Sequence, residues 1–376
     1  MRPTVARINL HALRHNLTTI RRIVGEDVGI IPVVKADAYG HGAVSISWVL
    51  AEAGIDLMCV ASIEEALDLS EAGVPSRFLI LGGLFERTSV FETPPNCIPV
   101  VWDEEGMKLA SALPSSFGRP IELHIKVDTG MSRLGCAPKE VPHLFTLASQ
   151  YPYIRITGIM SHLSSADGKA DEDEAFTRKQ IGDFHALCKP IAIGILRHLA
   201  ASAAIVKYPG SHFDAVRPGL MLYGIWPFED NTPVNGLSPK DIEPVMSLVT
   251  KVMAVREVKK NQPIGYGRSF SADKPMRIAV LPVGYADGIS RKLSNKGQVL
   301  IGGKRRNIVG RVSMDYITVD ISEPPAPALG DESVLIGKQG SEEITAWEFA
   351  RWAETIPYEV TCKIGGRVPR VVDDIF

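Results

Sequence analysis

Short apolar runs alternate with helical stretches through the first part of the chain, and this alternation constrains the fold more than any other feature. The apolar runs are residues 30–34, 57–61, 78–81, 98–101, 121–127 and 154–159. Stretches with helical spacing lie at 11–23, 43–53, 63–72, 104–112, 139–148 and 172–188. Strands that alternate with helices at this spacing form a parallel sheet. The number of units favours a (β/α)8 TIM-type barrel, which takes about 250 residues, over an open doubly wound sheet.

The pattern changes after Pro227. Residues 227–244 are rich in Pro, Gly, Asn and Asp and are predicted to be a linker. Beyond it, β-rich runs punctuated by Gly and Pro lie at 248–258, 277–283, 298–301, 307–312, 316–321 and 333–336, and only 346–354 has a helical pattern. The 376 residues therefore divide into a barrel over 1–230 and a mainly β domain over 231–376. The first eight or so residues are a candidate segment for pairing with the second domain.

Charge and cysteine usage exclude several classes of function. The formal net charge is -2, so no basic excess points to nucleic acid. Five cysteines, an odd number without a C-x-x-C, favour neither a disulfide framework nor a structural metal site. The N-terminus lacks the apolar core of a signal peptide, and no apolar stretch is long enough to span a membrane. These features together predict a cytoplasmic protein.

Lys35 follows the first predicted strand, within the segment VVKADAYGHG. In a barrel of this type the carboxyl ends of the strands carry the active site. A lysine at that position is a credible amine nucleophile for an aldehyde cofactor. The alternative is a surface lysine whose stem covers apolar side chains, which is the commoner situation for a lysine at a strand end.

The segment IELHIKVDTGMSRLG carries a second candidate group. Alternation places Glu122, His124, Lys126 and Asp128 on one face of the strand, which in a barrel must point into the interior or to the mouth. A buried Lys126 needs a compensating partner or a chemical modification. Arg133 would repel an unmodified lysine, so the pair indicates an anion between them. An ordinary solvated lysine and a surface arginine remain the alternative.

Ser202 and the turn that begins at Arg217 fall late in the predicted barrel. Loops after the last two strands of such barrels commonly bind phosphate through backbone N–H groups. Ser202 and Gly219 are therefore candidates for a phosphate site. A helix cap at Ser202 and a structural ion pair at Arg217 are the alternatives.

Three segments of the β domain place polar or aromatic side chains beside glycines. They are IGYGRSF with Tyr266, LPVGYADG with Tyr285, and GRVSMDY with Met314 and Asp315. Tyrosines in such places usually fill a small β core, so the residues alone leave the purpose of this domain open.

At these residues the sequence resembles the alanine racemase family. The segments VVKADAYGHG, KVDTGMSRLG, RPGLMLYG, GYADG, GRVSMDY and IPYEV occur in the family's order, between INLHALRHNL and RVPRVV. Any one of these segments alone would be weak evidence for the family, but several of them in the same order across two domains are highly specific to it. The resemblance covers nearly the whole chain. It implies a barrel that binds pyridoxal 5'-phosphate and a head-to-tail homodimer in which each β domain completes the partner's active site.

The resemblance also implies a role for individual residues. Lys35 would bind the cofactor covalently and act as one catalytic base, and Tyr266 of the partner subunit would be the other. The remaining cofactor-binding residues would be Tyr39, His162, Ser202, Arg217, Gly219, Leu220 and Tyr358, with Arg217 at the pyridine nitrogen and His162 behind it. Tyr285 and Met314 would help to hold the substrate carboxylate, and Arg133 would face either that carboxylate or the cofactor's ring oxygen. Lys126, as N6-carboxylysine, Arg291 and Asp315 would support the site.

The implied reaction is the interconversion of L-alanine and D-alanine, which supplies D-alanine for peptidoglycan. Racemisation removes a proton from one face of Cα and returns one to the other, and one base on each face is the simplest solution. Three positions depart from the family. Ser132 stands where glycine is frequent, Ala201 where many members have asparagine, and Gly365 and Gly366 where bulkier residues precede RVPR. The first two could alter substrate contacts.

Three other functions compete with this prediction. An amino-acid decarboxylase of the same architecture typically has a glycine-rich phosphate loop and a cysteine in the β domain, where this chain has only Cys362 and no glycine triplet. A non-enzymatic carrier of the cofactor would be a lone barrel. A serine or broad-specificity racemase is typically exported, whereas the N-terminus here does not read as a signal peptide, so alanine is favoured.

Overall fold

The computed structural model describes residues 2–85, 93–113 and 120–373. The chain divides into two compact units. One, called the barrel unit below, consists of Leu13–Ala38 and Ala43–Glu243. The other, called the β unit, consists of Met1–Ala12, Tyr39–Gly42 and Pro244–Phe376.

The described part of the barrel unit contains eight parallel strands. They are Gly29–Ile30, Leu57–Val60, Arg77–Ile80, Cys97–Val101, Ile121–Lys126, Ile154–Met160, Leu196–Ala201 and Ala215–Arg217. From the second strand onwards each pairs with the next in the chain, and the last pairs with the first. The circle closes between the first two strands, where Val34 N donates to Cys59 O and Cys59 N donates to Pro32 O, at 2.9 and 2.7 Å. The predicted (β/α)8 barrel is therefore confirmed, and the alternative, an open doubly wound sheet, is wrong.

Helices follow most of these strands. Those of the N-terminal two thirds of the chain are Leu10–Val24, Lys35–Gly40, Ala43–Glu52, Ile63–Glu71, Glu104–Ser111, Val141–Ala148, Asp171–Cys188 and Ser202–Lys207. Most lie within two residues of the predicted stretches, because their apolar residues recur at helical spacing and are buried. The helix predicted to begin at residue 139 begins at Val141 instead, because Pro138–Glu140 forms a separate 3-10 turn.

The β unit consists mainly of antiparallel strands. Its largest sheet contains Val5–Ile8, Met246–Lys251, Gln298–Ile301, Lys304–Asn307, Glu332–Gln339, Glu342–Ile344 and Arg370–Val372. A three-stranded sheet contains Ala254–Val258, Met276–Leu281 and Ile317–Asp320, and Pro263–Ile264 pairs with Phe270–Ser271. The first strand of the chain pairs with Met246–Lys251 and Arg370–Val372, which anchors the N-terminal residues in this unit.

Two strand predictions in this unit are wrong. The run 248–258 is two strands, because Val252 N donates to Asp331 O while Met253 N donates to Val280 O, so the chain passes from one sheet to the other at these residues. The run 307–312 is not a strand: regular pairing ends at Asn307, and Gly310 has a φ of +81°.

The prediction of a single helix in this part of the chain was incomplete. Besides Ala346–Ala353, the chain forms a helix at Pro357–Cys362, which begins with a proline at its first position. Six residues are too few to give a helical period in the sequence. Within the described ranges, no helix combines the length and the apolarity needed to cross a membrane.

Gly158 provides a test of the packing inside the barrel. A β-carbon at Gly158 would lie 2.5 Å from ring atoms of His124, which pairs with it on the neighbouring strand. We expect Gly158→Ala to lower the free energy of unfolding by about 1–3 kcal/mol through overpacking. The control is Gly182→Ala in the helix Asp171–Cys188, where no atom lies within 4 Å of the added carbon and where we expect a gain of about 0.5–1 kcal/mol. Urea denaturation measures both, and equal stability of the two variants would contradict the packing.

Candidate active site

Lys35 emerges where the barrel closes. The residues just before it are held on both sides, since Val33 N donates to Pro218 O and Val34 N to Cys59 O, both at 2.9 Å. The four residues after it, Ala36 to Tyr39, have φ angles of +53° to +55°, so the helix Lys35–Gly40 is left-handed. This conformation costs an L residue about 1–2 kcal/mol. Such a turn persists only when its surroundings hold it in place.

Lys126 lies at the end of a barrel strand and is only 6% exposed. Burial lowers the pKa of its ammonium group to about 8. The positive charges of Arg133, Arg217 and Lys35 act in the same direction, whereas Asp128 opposes them. Among the described residues no carboxylate lies within 4.0 Å of its Nζ. The mouth of the barrel therefore gathers four cationic side chains without a matching set of carboxylates.

The loop after this strand carries Arg133 back towards Lys126. Asp128 Oδ1 accepts hydrogen bonds from Gly130 N and Met131 N, both at 2.8 Å. Gly135 has a φ of +130°, and a β-carbon there would lie 2.6 Å from Asp128 N. The loop requires glycine at this close approach. The Asp128 carboxylate thus binds backbone N–H groups, and the exposed Arg133 side chain makes no ion pair within the described part of the chain.

Arg217 is buried and is held by neutral acceptors. Its two Nη groups donate four hydrogen bonds. The acceptors are His198 Nδ1 at 2.9 Å, His198 O at 2.8 Å, Ser161 O at 2.7 Å and Leu199 O at 2.9 Å. His162 Nδ1 is more distant, at 3.4 Å from Nη2. Burial lowers the pKa of Arg217 to about 10. The remaining donor, Nε–H, has no partner among the residues that the structure describes.

A chain of neutral histidines continues from this arginine. Because a guanidinium group only donates, His198 Nδ1 accepts, and its proton is on Nε2. That nitrogen lies 2.9 Å from His124 Nδ1, so His124 accepts in turn and carries its own proton on Nε2. Burial, together with nearby arginines, lowers the pKa of His124 to about 3 and that of His198 well below its usual value. Burial also lowers the pKa of His162 to about 3, so none of these rings adds charge near neutral pH.

Ser202 connects the last two barrel loops. Its Oγ accepts hydrogen bonds from Gly219 N at 3.0 Å and Met221 N at 3.2 Å. The side chain is buried, and no described residue accepts its hydroxyl proton. Ser202, Gly219 and Leu220, the residues predicted for a phosphate site, are therefore adjacent.

Within the β unit, Tyr39 packs against Tyr358. Their ring centroids are 5.7 Å apart. Gly40 lies against the same helix, since a β-carbon there would be 2.2 Å from Thr361 O. These two tyrosines, both predicted to bind the cofactor, are thus neighbours.

Other predicted residues of the β unit lie on its surface. Tyr285 N donates to Ser313 O and Ala286 N to Met314 O, which brings the Tyr285 and Met314 loops together. Tyr266 is 72% exposed, in a turn flanked by two glycines with positive φ.

The two supporting residues of this unit differ in their surroundings. Asp315 accepts a hydrogen bond from Arg367 Nη2 at 2.6 Å. Arg291 is exposed and forms no ion pair with any described residue.

Family models match both parts of the chain. The model for the N-terminal domain of alanine racemase matches residues 8–227, and the model for its C-terminal domain matches residues 245–372. The chain belongs to the alanine racemase family.

Relatives and solved structures agree with this assignment. The alanine racemase of Halothermothrix orenii is 39% identical over 373 residues, which cover 98% of this chain and 96% of the relative. Alanine racemase 2 of Caldanaerobacter subterraneus subsp. tengcongensis is 38% identical over 99% of this chain and 95% of the relative. The alanine racemase structure from Clostridium difficile 630 has a TM-score of 0.88 at 33% identity, covering 99% of this chain and 96% of that chain. The structure from E. faecalis has a TM-score of 0.89 at 31% identity, covering 99% and 98%.

Family membership, predicted from the ordered motifs, is confirmed. The resemblance implies His162 behind Arg217, and His162 Nδ1 lies 3.4 Å from Arg217 Nη2. His198, which was not predicted, lies closer to Arg217, and His124 contacts His198 in turn. The sequence contained one indication of His124, because this residue lies on the same predicted inward face of its strand as Lys126. His198 had no comparable signal, because its contact with Arg217 depends on the pairing of two later strands.

The departures from the family pattern have different structural consequences. Ser132 has a φ of +57°, in the region that favours the glycine frequent among racemases of this family. Ala201 precedes the helix Ser202–Lys207 in an extended conformation and provides no side-chain cap. A β-carbon at Gly366 would meet nothing within 4 Å, so the backbone there does not require glycine.

The neutral histidines make a prediction about acid stability. The pKa of His124 is near 3 in the folded chain and ordinarily about 6.5, so the unfolded chain binds the extra proton between these values. The free energy of unfolding should therefore fall as pH drops from about 6.5 to about 3. We expect His124→Asn, which keeps an acceptor near the Nδ1 position, to reduce this slope by about 1 kcal/mol per pH unit. Urea denaturation between pH 7 and pH 4 measures it, with exposed His185→Asn as control, and an unchanged slope for His124→Asn would contradict the assignment.

Proposed function

We propose that this chain interconverts L-alanine and D-alanine with pyridoxal 5'-phosphate as cofactor. The observation that carries the proposal is the excess of positive charge at the barrel mouth, from Lys35, Lys126, Arg133 and Arg217. Buried or clustered cations need anionic partners. The cofactor's phosphate and the substrate's carboxylate are such anions, and the family assignment makes alanine the substrate.

The free hydrogen-bonding groups of the barrel mouth suit this cofactor. Arg217 Nε–H is a donor for the pyridine nitrogen, and the Ser202 hydroxyl is a donor for the phosphate. Since Arg217 only donates, it suits an unprotonated nitrogen. The cofactor would be held covalently by Lys35 and otherwise by Tyr39, His162, Ser202, Arg217, Gly219, Leu220 and Tyr358.

The chain's own residues would move the proton. The bound cofactor delocalises the electron pair left on Cα when its proton is lost. Lys35 would take or return that proton on one face, and Tyr266 on the other. Arg133, Tyr285 and Met314 would hold the carboxylate. Asp315 and Arg291 would support the loops on which Tyr285 and Met314 lie.

Tyr266 would act on the barrel of a second copy of the chain. Its high exposure within the β unit agrees with a side chain that completes a neighbour's site. We therefore propose a head-to-tail homodimer, in which residues 1–230 provide most of the groups that bind the cofactor and residues 231–376 contribute to the partner subunit's active site. The D-alanine formed would supply peptidoglycan synthesis from the cytoplasm.

The test is racemisation of both enantiomers by the wild type, Tyr266→Phe and the control Tyr153→Phe, an exposed tyrosine of the barrel unit. Because the equilibrium constant for racemisation is one, we expect Tyr266→Phe to slow both directions equally, by about 100-fold or more. In D2O, we expect this variant still to exchange the Cα hydrogen of the enantiomer whose hydrogen faces Lys35, but not that of the other enantiomer. Tyr153→Phe should behave as the wild type.

The competing functions give different results in the same assay. Exchange of both enantiomers by Tyr266→Phe would contradict the two-base assignment. Carbon dioxide release from alanine would indicate a decarboxylase, and binding of the cofactor without turnover would indicate a carrier. Serine, assayed beside alanine, would reveal a broad-specificity racemase.

Lys126 as N6-carboxylysine gives a separate test. Carbon dioxide reacts only with the neutral amine, and a pKa of about 8 leaves much of Lys126 neutral at pH 8. The carbamate would place a negative charge beside Arg133. We expect wild-type protein in 13C-bicarbonate to show a carbamate signal by NMR that grows as pH rises from 6.5 to 8.5.

The signal should be absent from Lys126→Met and present in Lys108→Met, a control at an exposed lysine of the helix Glu104–Ser111. A wild type without a carbamate signal at saturating bicarbonate would contradict the modification.

A further inference from the structure

Through one carboxylate, Glu65 joins the turn that follows the first barrel strand to the end of the second barrel strand. Its Oε1 accepts a hydrogen bond from Ala36 N and its Oε2 from Ala61 N, both at 2.7 Å. Ala36 directly follows Lys35, and Ala61 directly follows the strand Leu57–Val60. The carboxylate therefore fixes the peptide group on the carboxyl side of Lys35.

Helix capping does not account for the hydrogen bond from Ala36 N to Glu65 Oε1. Glu65 is the third residue of the helix Ile63–Glu71, where a carboxylate commonly accepts from the backbone just before the helix. The bond to Ala61 N serves that purpose. The bond to Ala36 N reaches a residue 29 positions away, which capping does not require.

The peptide held in this way begins the left-handed turn. Ala36 has a φ of +53°, and the next three residues repeat this conformation. Asp37, the second residue of the turn, accepts at its Oδ1 from Ala43 N, which lies beyond the turn, at 2.8 Å. Carboxylates thus hold the first peptide of the turn and the residue that begins the next helix, and hydrogen bonds to a charged acceptor are stronger than those between neutral groups.

We propose that Glu65 is a positioning residue that sets the direction of the Lys35 side chain. The inference rests on the proposed function, in which the Lys35 amine binds the cofactor and moves the Cα proton. The orientation of the Lys35–Ala36 peptide determines where the Lys35 side chain leaves the backbone. An amine that must reach both an aldehyde and one face of Cα tolerates little displacement. Without Glu65, the turn loses the bond that fixes its first peptide.

The experiment compares Glu65→Ala, Glu65→Gln and the control Glu64→Gln, at the exposed neighbouring carboxylate. We expect Glu65→Ala to lower kcat by about 10- to 100-fold and to leave KM within about twofold, because the displaced group acts in the proton transfer. Glu65→Gln should fall between this variant and the wild type, since one amide oxygen can replace one carboxylate oxygen. Glu64→Gln should retain the wild-type kcat.

A second readout does not depend on turnover. Borohydride reduction followed by peptide mass spectrometry measures the rate at which pyridoxal 5'-phosphate attaches to Lys35. We expect attachment to be about tenfold slower or more in Glu65→Ala and unchanged in Glu64→Gln.

The outcomes separate this inference from the proposed function. A kcat within twofold of the wild type in folded Glu65→Ala, or a loss no larger than its unfolded fraction by circular dichroism, would overturn the role of Glu65. If the wild type does not racemise alanine, the proposed function fails, and Glu65 is then judged by the rate of attachment at Lys35. If Glu65→Ala does not fold, Glu65→Gln decides by the same two measurements.

Discussion

The site in the barrel unit depends on how the barrel closes at residues 32–34. There the chain is bonded on one side to Pro218 and on the other to Cys59, so a short first strand is fixed between its two neighbours. Lys35 is the next residue, and its backbone therefore starts from a defined place on the rim. The same closure brings the Arg217–Pro218 turn alongside. The hydrogen bonds of three residues thus determine where Lys35 and the Arg217–Pro218 turn lie on the rim.

The second constraint concerns how the fold solvates the buried positive charge of Arg217. Arg217 is buried, yet its partners are carbonyl groups and a neutral imidazole, so its charge is solvated without being cancelled. A carboxylate in the same position would satisfy the arginine but leave less attraction for an anionic ligand. The lowered pKa values of Arg217 and Lys126 show the cost of this arrangement in the folded chain. A phosphate, a carboxylate and a carbamate would offset that cost.

The sequence predicted most of this arrangement, but not the parts that arise from distant pairings. Strand–helix alternation was sufficient for the barrel, and the position of Lys35 after an apolar run was sufficient to place it at the rim. The left-handed turn could not be predicted, because Ala36 and Ala38 have no local preference for positive φ, and an aspartate such as Asp37 adopts it as an isolated residue and not in a run of four. The change of sheet at Val252 and Met253 depends on partners at Asp331 and Val280, which a local pattern does not reveal.

The left-handed turn and the Asp128 loop use the same device. Each carries a cation, Lys35 in one case and Arg133 in the other, and each is held by a carboxylate that accepts backbone N–H groups. The negative charge of Glu65 or Asp128 is thereby directed at the backbone and not at the cation beside it. If either carboxylate formed an ion pair instead, the loop would lose its restraint and the cation would attract an anionic ligand less strongly. Positive φ angles at Ala36 and Ser132 are the conformational cost of these two loops. The hydrogen bonds that Glu65 and Asp128 accept stabilise this strained backbone. Because the same bonds occupy the two carboxylates, they also leave Lys35 and Arg133 available to an anionic ligand.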